Sequence, residues 1–257
     1  MTNYYFIGTF IPKLQIGILP EISIESYSRL LKENLNSSDF KTFLQLKLFF
    51  DIENIHLFLN NNKINCFGNF NEITLEEALL NEDSLPTYIY DYMHQYESQE
   101  ERLKNFSKIY SAFFNEPKTG FLKELFKQER SIHLVLVALR AKKMNRSIFH
   151  ELQFEDSEDD LVATIIAQKD APNFEPPLEF SEIKTIYEKN YEKPFELHQA
   201  LVSYRFQKIE EMVGLQVFTL DRLLAYYYQL ILAHQWALLD KEKGLQMINT
   251  IVKDFHE

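Results

Sequence analysis

The placement of proline constrains this chain more than any other feature. Its eight prolines are Pro12 and Pro20, Pro86, Pro117, and a group of Pro172, Pro176, Pro177 and Pro194. They leave proline-free segments at 21–85, 87–116, 118–171 and 195–257. Proline inside a helix costs about 3 kcal/mol, so helices belong within these segments. Glycine is scarce as well, at 6 of 257 residues. Sheet proteins need Gly-rich turns at short intervals, so the expected fold is all-α, long helices joined by few loops.

Capping residues and apolar spacing then give the spans. Ser23 or Ser26 caps a helix that runs to Asn34, and Ser37 or Ser38 opens a second over 37–61. Thr74 with Glu77 three residues later has capping-box spacing and opens a short third helix. The "NNNKINCFGNFN" between them (60–71) is turn-rich. Residues 86–116 give one or two helices around a polar "ESQEER" waist. Further helices are expected over 120–145, 158–169, 180–191, 194–213 and 219–253, the last broken near Gly244. "KDAPNFEPPLEF" (169–180) reads as a linker. The clearest stripe is Leu220, Leu224, Tyr227, Ile231, His234 and Leu238, flanked by Leu223, Leu230 and Ala237. A stripe this wide must pack against at least two neighbours, while Trp236 lies off it.

The formal net charge of −11 argues against nucleic acid as a main partner and against anionic lipid. A single cysteine, Cys66, excludes an internal disulfide or a Cys-based zinc cluster. No basic segment precedes the first apolar residues, and no run approaches the roughly 18–20 apolar residues of a bilayer span. A cytoplasmic protein without membrane insertion is expected.

"RSIHLVLVALRAKK" (130–143) holds the densest apolar run, Leu134 to Leu139, which on a helix points in every direction and must be enclosed. Arg140, Lys142 and Lys143 follow where the helix ends, favourable for its negative terminus, and are the expected contact with an acidic partner surface. Ile132-His133-Leu134-Val135-Leu136 echoes Ile55-His56-Leu57-Phe58-Leu59, a match expected about once by chance in a chain this long.

Catalytic signatures are missing: no HExxH, GxxxxGK[ST], GxGxxG or GxSxG occurs. Glu53 with His56, and Asp91 with His94, have the i, i+3 spacing of carboxylate-bridged metal bundles. Glu53, however, falls off the Leu48, Ile52, Ile55, Leu59 stripe, so ordinary hydrogen-bonded histidines are expected, with no metal or other cofactor. The acidic "FEDSEDD" (154–160) lacks the glycine of an EF-hand loop and reads as a turn whose Ser157 or Asp159 opens the next helix.

Asp51-Ile-Glu-Asn54 before an apolar helix resembles the acidic-x-x-Asn element of the V-type ATP synthase C subunit, also called subunit d. Glu129-Arg-Ser-Ile132 resembles a second copy, with Arg140 after it and without the asparagine. "NYYFIGTFIPKL", "FGNFNEITLEEAL" and "LDRLLAYYYQLILAHQWALLDKEKG" are similar to a small bacterial family encoded among V-type ATP synthase genes. This resemblance implies consecutive helical bundles, three degenerate repeats over 1–95, 96–171 and 172–257. It also implies a non-catalytic central-stalk role, joining rotor axle to membrane ring, peripheral to the inner membrane through the complex. The alternatives are an assembly factor for the same machine and, more remotely, a carboxylate-metal enzyme using Glu53, His56, Asp91 and His94.

Overall fold

The computed structural model describes residues 3–238. Every regular element among them is a helix. The α-helices are α1 (Tyr5–Phe10), α2 (Ile24–Asn34), α3 (Ser37–Leu59), α4 (Glu72–Asn81), α5 (Thr87–Gln95), α6 (Gln99–Lys104) and α7 (Ser107–Asn115). They continue as α8 (Gly120–Lys143), α9 (Ile148–Glu151), α10 (Asp160–Ala167), α11 (Ser181–Asn190), α12 (Pro194–Val213) and α13 (Leu220–Leu238). The expected break near Gly244 and the helix end at 253 lie outside the described residues.

The chain forms two compact units, one of residues 31–184 and one that joins 1–30 to 185–257. This division does not follow the boundaries 95/96 and 171/172. The 169–180 stretch, expected to be a linker, is instead tied down within the first of these units. Phe174 is buried, and the Gln168 amide exchanges hydrogen bonds with the Glu175 backbone at 2.9 and 2.8 Å. A proline-rich sequence rules out helix but not a fixed path.

In the 31–184 unit, α7 packs against both α3 and α8. Phe49, Phe113 and Phe126, one from each, form an aromatic core with centroids 4.8–5.8 Å apart. Lys118 lies 4.1 Å above the Phe113 ring and donates to the Phe113 carbonyl. Leu134 to Leu139 are buried but for Val137, which is half-buried, as the all-round apolar run requires.

In the other unit, α12 and α13 form a hairpin. Arg222 fixes its loop, donating to the Gln216 and Gly214 carbonyls at 2.7 and 2.5 Å and to Glu210 at 2.7 Å. Residues 223–233 of α13 are buried on every face, more than the stripe implied. Segments far apart in sequence meet within this unit: Tyr27 donates to the Leu223 carbonyl at 3.0 Å and Tyr226 to that of Pro12 at 2.8 Å. Trp236 is half-buried, its ring 3.5 Å from where a Cβ on Gly17 would stand.

Three helix starts differ from expectation. α3 is capped not by Ser37 or Ser38 but by Asn36, whose Oδ1 accepts from Asp39 N at 2.9 Å. α4 is capped by Asn71, whose side chain accepts from Thr74 N while Thr74 accepts from Asn71 N, both at 3.0 Å. Thr74 is therefore the third helical residue, and asparagine, the better cap, takes the first place. The polar waist itself contains α6, opened by a Ser98–Glu101 capping box.

Candidate functional site

Asp51 and Asn54 lie i, i+3 on α3, and both are 0% exposed. Buried polar groups at such positions must be paired. Asn54 Oδ1 accepts from Asn65 N at 2.9 Å and Asn54 Nδ2 donates to Asn65 O at 3.0 Å, so one amide satisfies a whole backbone unit. Asp51 Oδ1 accepts from Asn69 N at 2.6 Å and Phe70 N at 3.3 Å, and Oδ2 from Asn69 Nδ2 at 2.6 Å. Together the two side chains clamp the returning 60–71 loop onto the helix that precedes it. That loop begins where α3 stops in a Schellman turn. Asn61 has φ +55°, and Asn62 N and Asn61 N donate to Leu57 O and Phe58 O at 2.9 and 3.0 Å. Gly68 passes so close that a Cβ there would stand 2.1 Å from Asp51 Oδ1.

Burial pushes the Asp51 carboxyl up to about 6, against the opposing pull of the Asn69 and Phe70 donors and of Lys47. The folded chain thus holds this proton more tightly than the unfolded chain does. The stabilisation it brings is complete below the ordinary carboxylate value and is lost as pH rises through about 6. Wild type should therefore lose roughly 1–3 kcal/mol relative to Asp51→Asn between acid pH and pH 7. Urea titrations of both proteins across that range check the slope.

On α8 the corresponding grip is made by a cation. Arg130 reaches Glu155 at 2.7 Å and Asp159 at 2.8 Å. Asp159 also caps α10, accepting from Leu161 N and Val162 N at 3.0 and 3.1 Å. The "FEDSEDD" stretch is thus a turn that opens the next helix, with Asp159 rather than Ser157 as the cap, and two of its carboxylates are additionally held by Arg130. α13 carries a buried polar residue of its own, Gln229, which donates to Phe206 O at 3.1 Å and Glu210 at 3.2 Å.

The basic trio at the end of α8 divides. Lys142 Nζ donates to the carbonyls of Gln168, Lys169 and Ala171 at 2.7, 2.5 and 2.6 Å, which uses all three of its protons. Arg140 and Lys143 are exposed. Lys142 is thus a brace for the turn after α10. Lys142→Met should cost about 1–3 kcal/mol by stranding those acceptors, readable as a lower urea midpoint with an unchanged slope.

The four metal candidates are not brought together. His56 is exposed with its ring 4.7 Å from that of Phe106. His94 pairs with Glu82 at 2.8 Å, and Asp91 is exposed. Glu53 instead lies near Tyr110, whose hydroxyl is pushed up by burial and by that carboxylate. Among the described residues no group of three or more His, Cys, Asp or Glu is arranged to hold a metal ion. No described helix is long and apolar enough to cross a membrane.

A family model described as "Protein of unknown function (DUF2764)" matches residues 1–257. A protein of Chlamydia pneumoniae is 30% identical over 262 residues, spanning 98% of both chains. One of Chlamydia muridarum is 29% identical and one of Chlamydia trachomatis serovar D is 28% identical, each over 98% of both chains. All three are named "Uncharacterized protein". No solved structure matches the chain significantly.

Proposed function

The chain belongs to the DUF2764 family over its whole length, and from that premise we propose that it is a non-catalytic, C/d-like central-stalk subunit of a bacterial V-type ATP synthase, joining rotor axle to membrane ring. The observation that carries the proposal is the burial of Asp51 and Asn54. The two residues through which the chain resembles the C subunit are the ones that lock a long helix to its returning loop. A coupler must transmit torque without yielding, and polar clamps at helix–loop junctions serve that need because breaking one strands buried groups. A second such junction supports it: Arg130 on the 155–159 turn, where the Arg130 and Glu155 side chains are 15% and 11% exposed.

Purification of the intact rotary complex from the native host, with a tag on an established catalytic subunit, tests the proposal. The chain is expected in fixed stoichiometry in the fully assembled complex. Its absence there would contradict the stalk role. Recovery only with partly assembled precursors would make it an assembly factor instead.

A further inference from the structure

A cleft of about 490 Å³ lies beside the end of α8, its walls formed by Lys142, the turn after α8 with Arg146, the start of α9 with Phe149, and residues 169–172. Residues 139–150, "LRAKKMNRSIFH", hold four basic residues and no acidic one, in a chain of 27 basic and 38 acidic residues. That local reversal of sign needs a reason. Lys142 supplies part of it by bracing the far wall, but Arg146 and Lys169, which also line the cleft, are exposed.

Phe149 lines this cleft at 53% exposure, and Met144, in the turn that precedes it, is 58% exposed. Lys169 Nζ sits 5.0 Å from the Phe149 ring centroid and holds that ring at the cleft edge. Asp170 lines the cleft as well, against the three cations Lys142, Arg146 and Lys169, and Glu151 lies 3.6 Å from Arg146. The backbone is fixed as well. Asn145 has φ +53°, and Arg146 N and Asn145 N donate to Ala141 O and Lys142 O at 2.8 and 3.3 Å, a Schellman turn like the one ending α3. An apolar centre with a charged rim on a rigid turn is the anatomy of a protein-binding surface.

We infer that this cleft is the docking surface for an acidic helical segment of a stalk partner, with an aliphatic or aromatic anchor placed against Phe149. The inference rests on the stalk reading and names the partner chemistry for one face of it. Charge complementarity selects the occupant. A second copy of this chain carries net −11 but would bring the same basic rim to a self-complementary contact, where like charges oppose.

The test places a photo-crosslinking residue at position 149 of the full chain in the native host, beside the variants Arg140→Glu/Arg146→Glu and Phe149→Ala. In the expected result, light joins position 149 to an acidic segment of a rotary-complex subunit. The double variant then keeps its thermal midpoint while recovering at least 10-fold less of that subunit. Phe149→Ala, which removes no charge, loses it as well and keeps the result informative should the double variant fold poorly. Adducts only to nucleic acid, lipid or a second copy overturn the inference. So does undiminished recovery by folded variants while wild type still enters the complex, an outcome that leaves the stalk reading intact. Absence of wild type from the complex removes the stalk reading and this partner with it.

Discussion

Gly68→Ala is expected to destabilise the protein by about 3 kcal/mol or more, near the upper end for inserting a single methyl group. The reason is where that methyl would go. It would stand 2.1 Å from Asp51 Oδ1 and 3.1 Å from Asn54 Nδ2, atoms of the two side chains that clamp the 60–71 loop. Neither can retreat, because Asp51 is held by three N–H donors and Asn54 by both polar groups of Asn65. The loop must lift or the carboxylate must rotate, and either strands buried groups. Gly68 is needed here for close approach, not for a left-handed backbone. A double-mutant cycle with Asp51→Ala separates the causes. With the carboxylate gone, Gly68→Ala should become cheaper by about 1–3 kcal/mol, since the two changes act on one contact. Additive costs in denaturant titrations would show that the crowding lies elsewhere.

Arg130→Met should cost about 2–4 kcal/mol, because it leaves Glu155 and Asp159 without their shared cation. The Arg130 and Glu155 side chains are 15% and 11% exposed, so water replaces little of what is lost there, whereas Asp159 at 31% recovers more. Burial tends to raise the Asp159 carboxyl, but Arg130 and the N–H groups of Val162 and Leu161 hold it below its ordinary value. A depressed carboxylate contributes stability above its unfolded value and loses it as pH falls. The gap between wild type and Arg130→Met should therefore be widest near neutrality and should close below about pH 4. Stability curves across that range check the sign, and a gap that widens in acid would exclude this ion pair as the source.

The helices were legible because local rules set them. Proline spacing bounded them, Pro194 opened α12 at its first turn, and Asp159 announced α10. The serine and glutamate that open α6 are visible in "SQEE", yet that segment is polar throughout, so apolar spacing has nothing to register. The clamp was legible only as an element. Asp51-x-x-Asn54 stands out in sequence, but its partners lie 11 to 19 residues away in a turn-rich stretch that many conformations could satisfy. Lys142 shows the converse failure. As one of three basic residues at a helix end it reads as surface charge, and only the path of residues 168–171 reveals the three carbonyls it meets. The unit that joins 1–30 to 185–257 is not legible in the sequence, since long-range pairs such as Tyr226 with Pro12 have no local signature.

The two functions of a coupled rotary machine can be measured apart, and that gives the most direct test of the proposed role. Membranes from native cells with and without this chain would be assayed for ATP hydrolysis by the catalytic head and for ATP-driven ion pumping. If the chain is the rigid link between axle and ring, its removal abolishes pumping while the detached heads go on hydrolysing ATP, and restoring the chain restores pumping. Pumping at the wild-type rate without the chain would contradict that role.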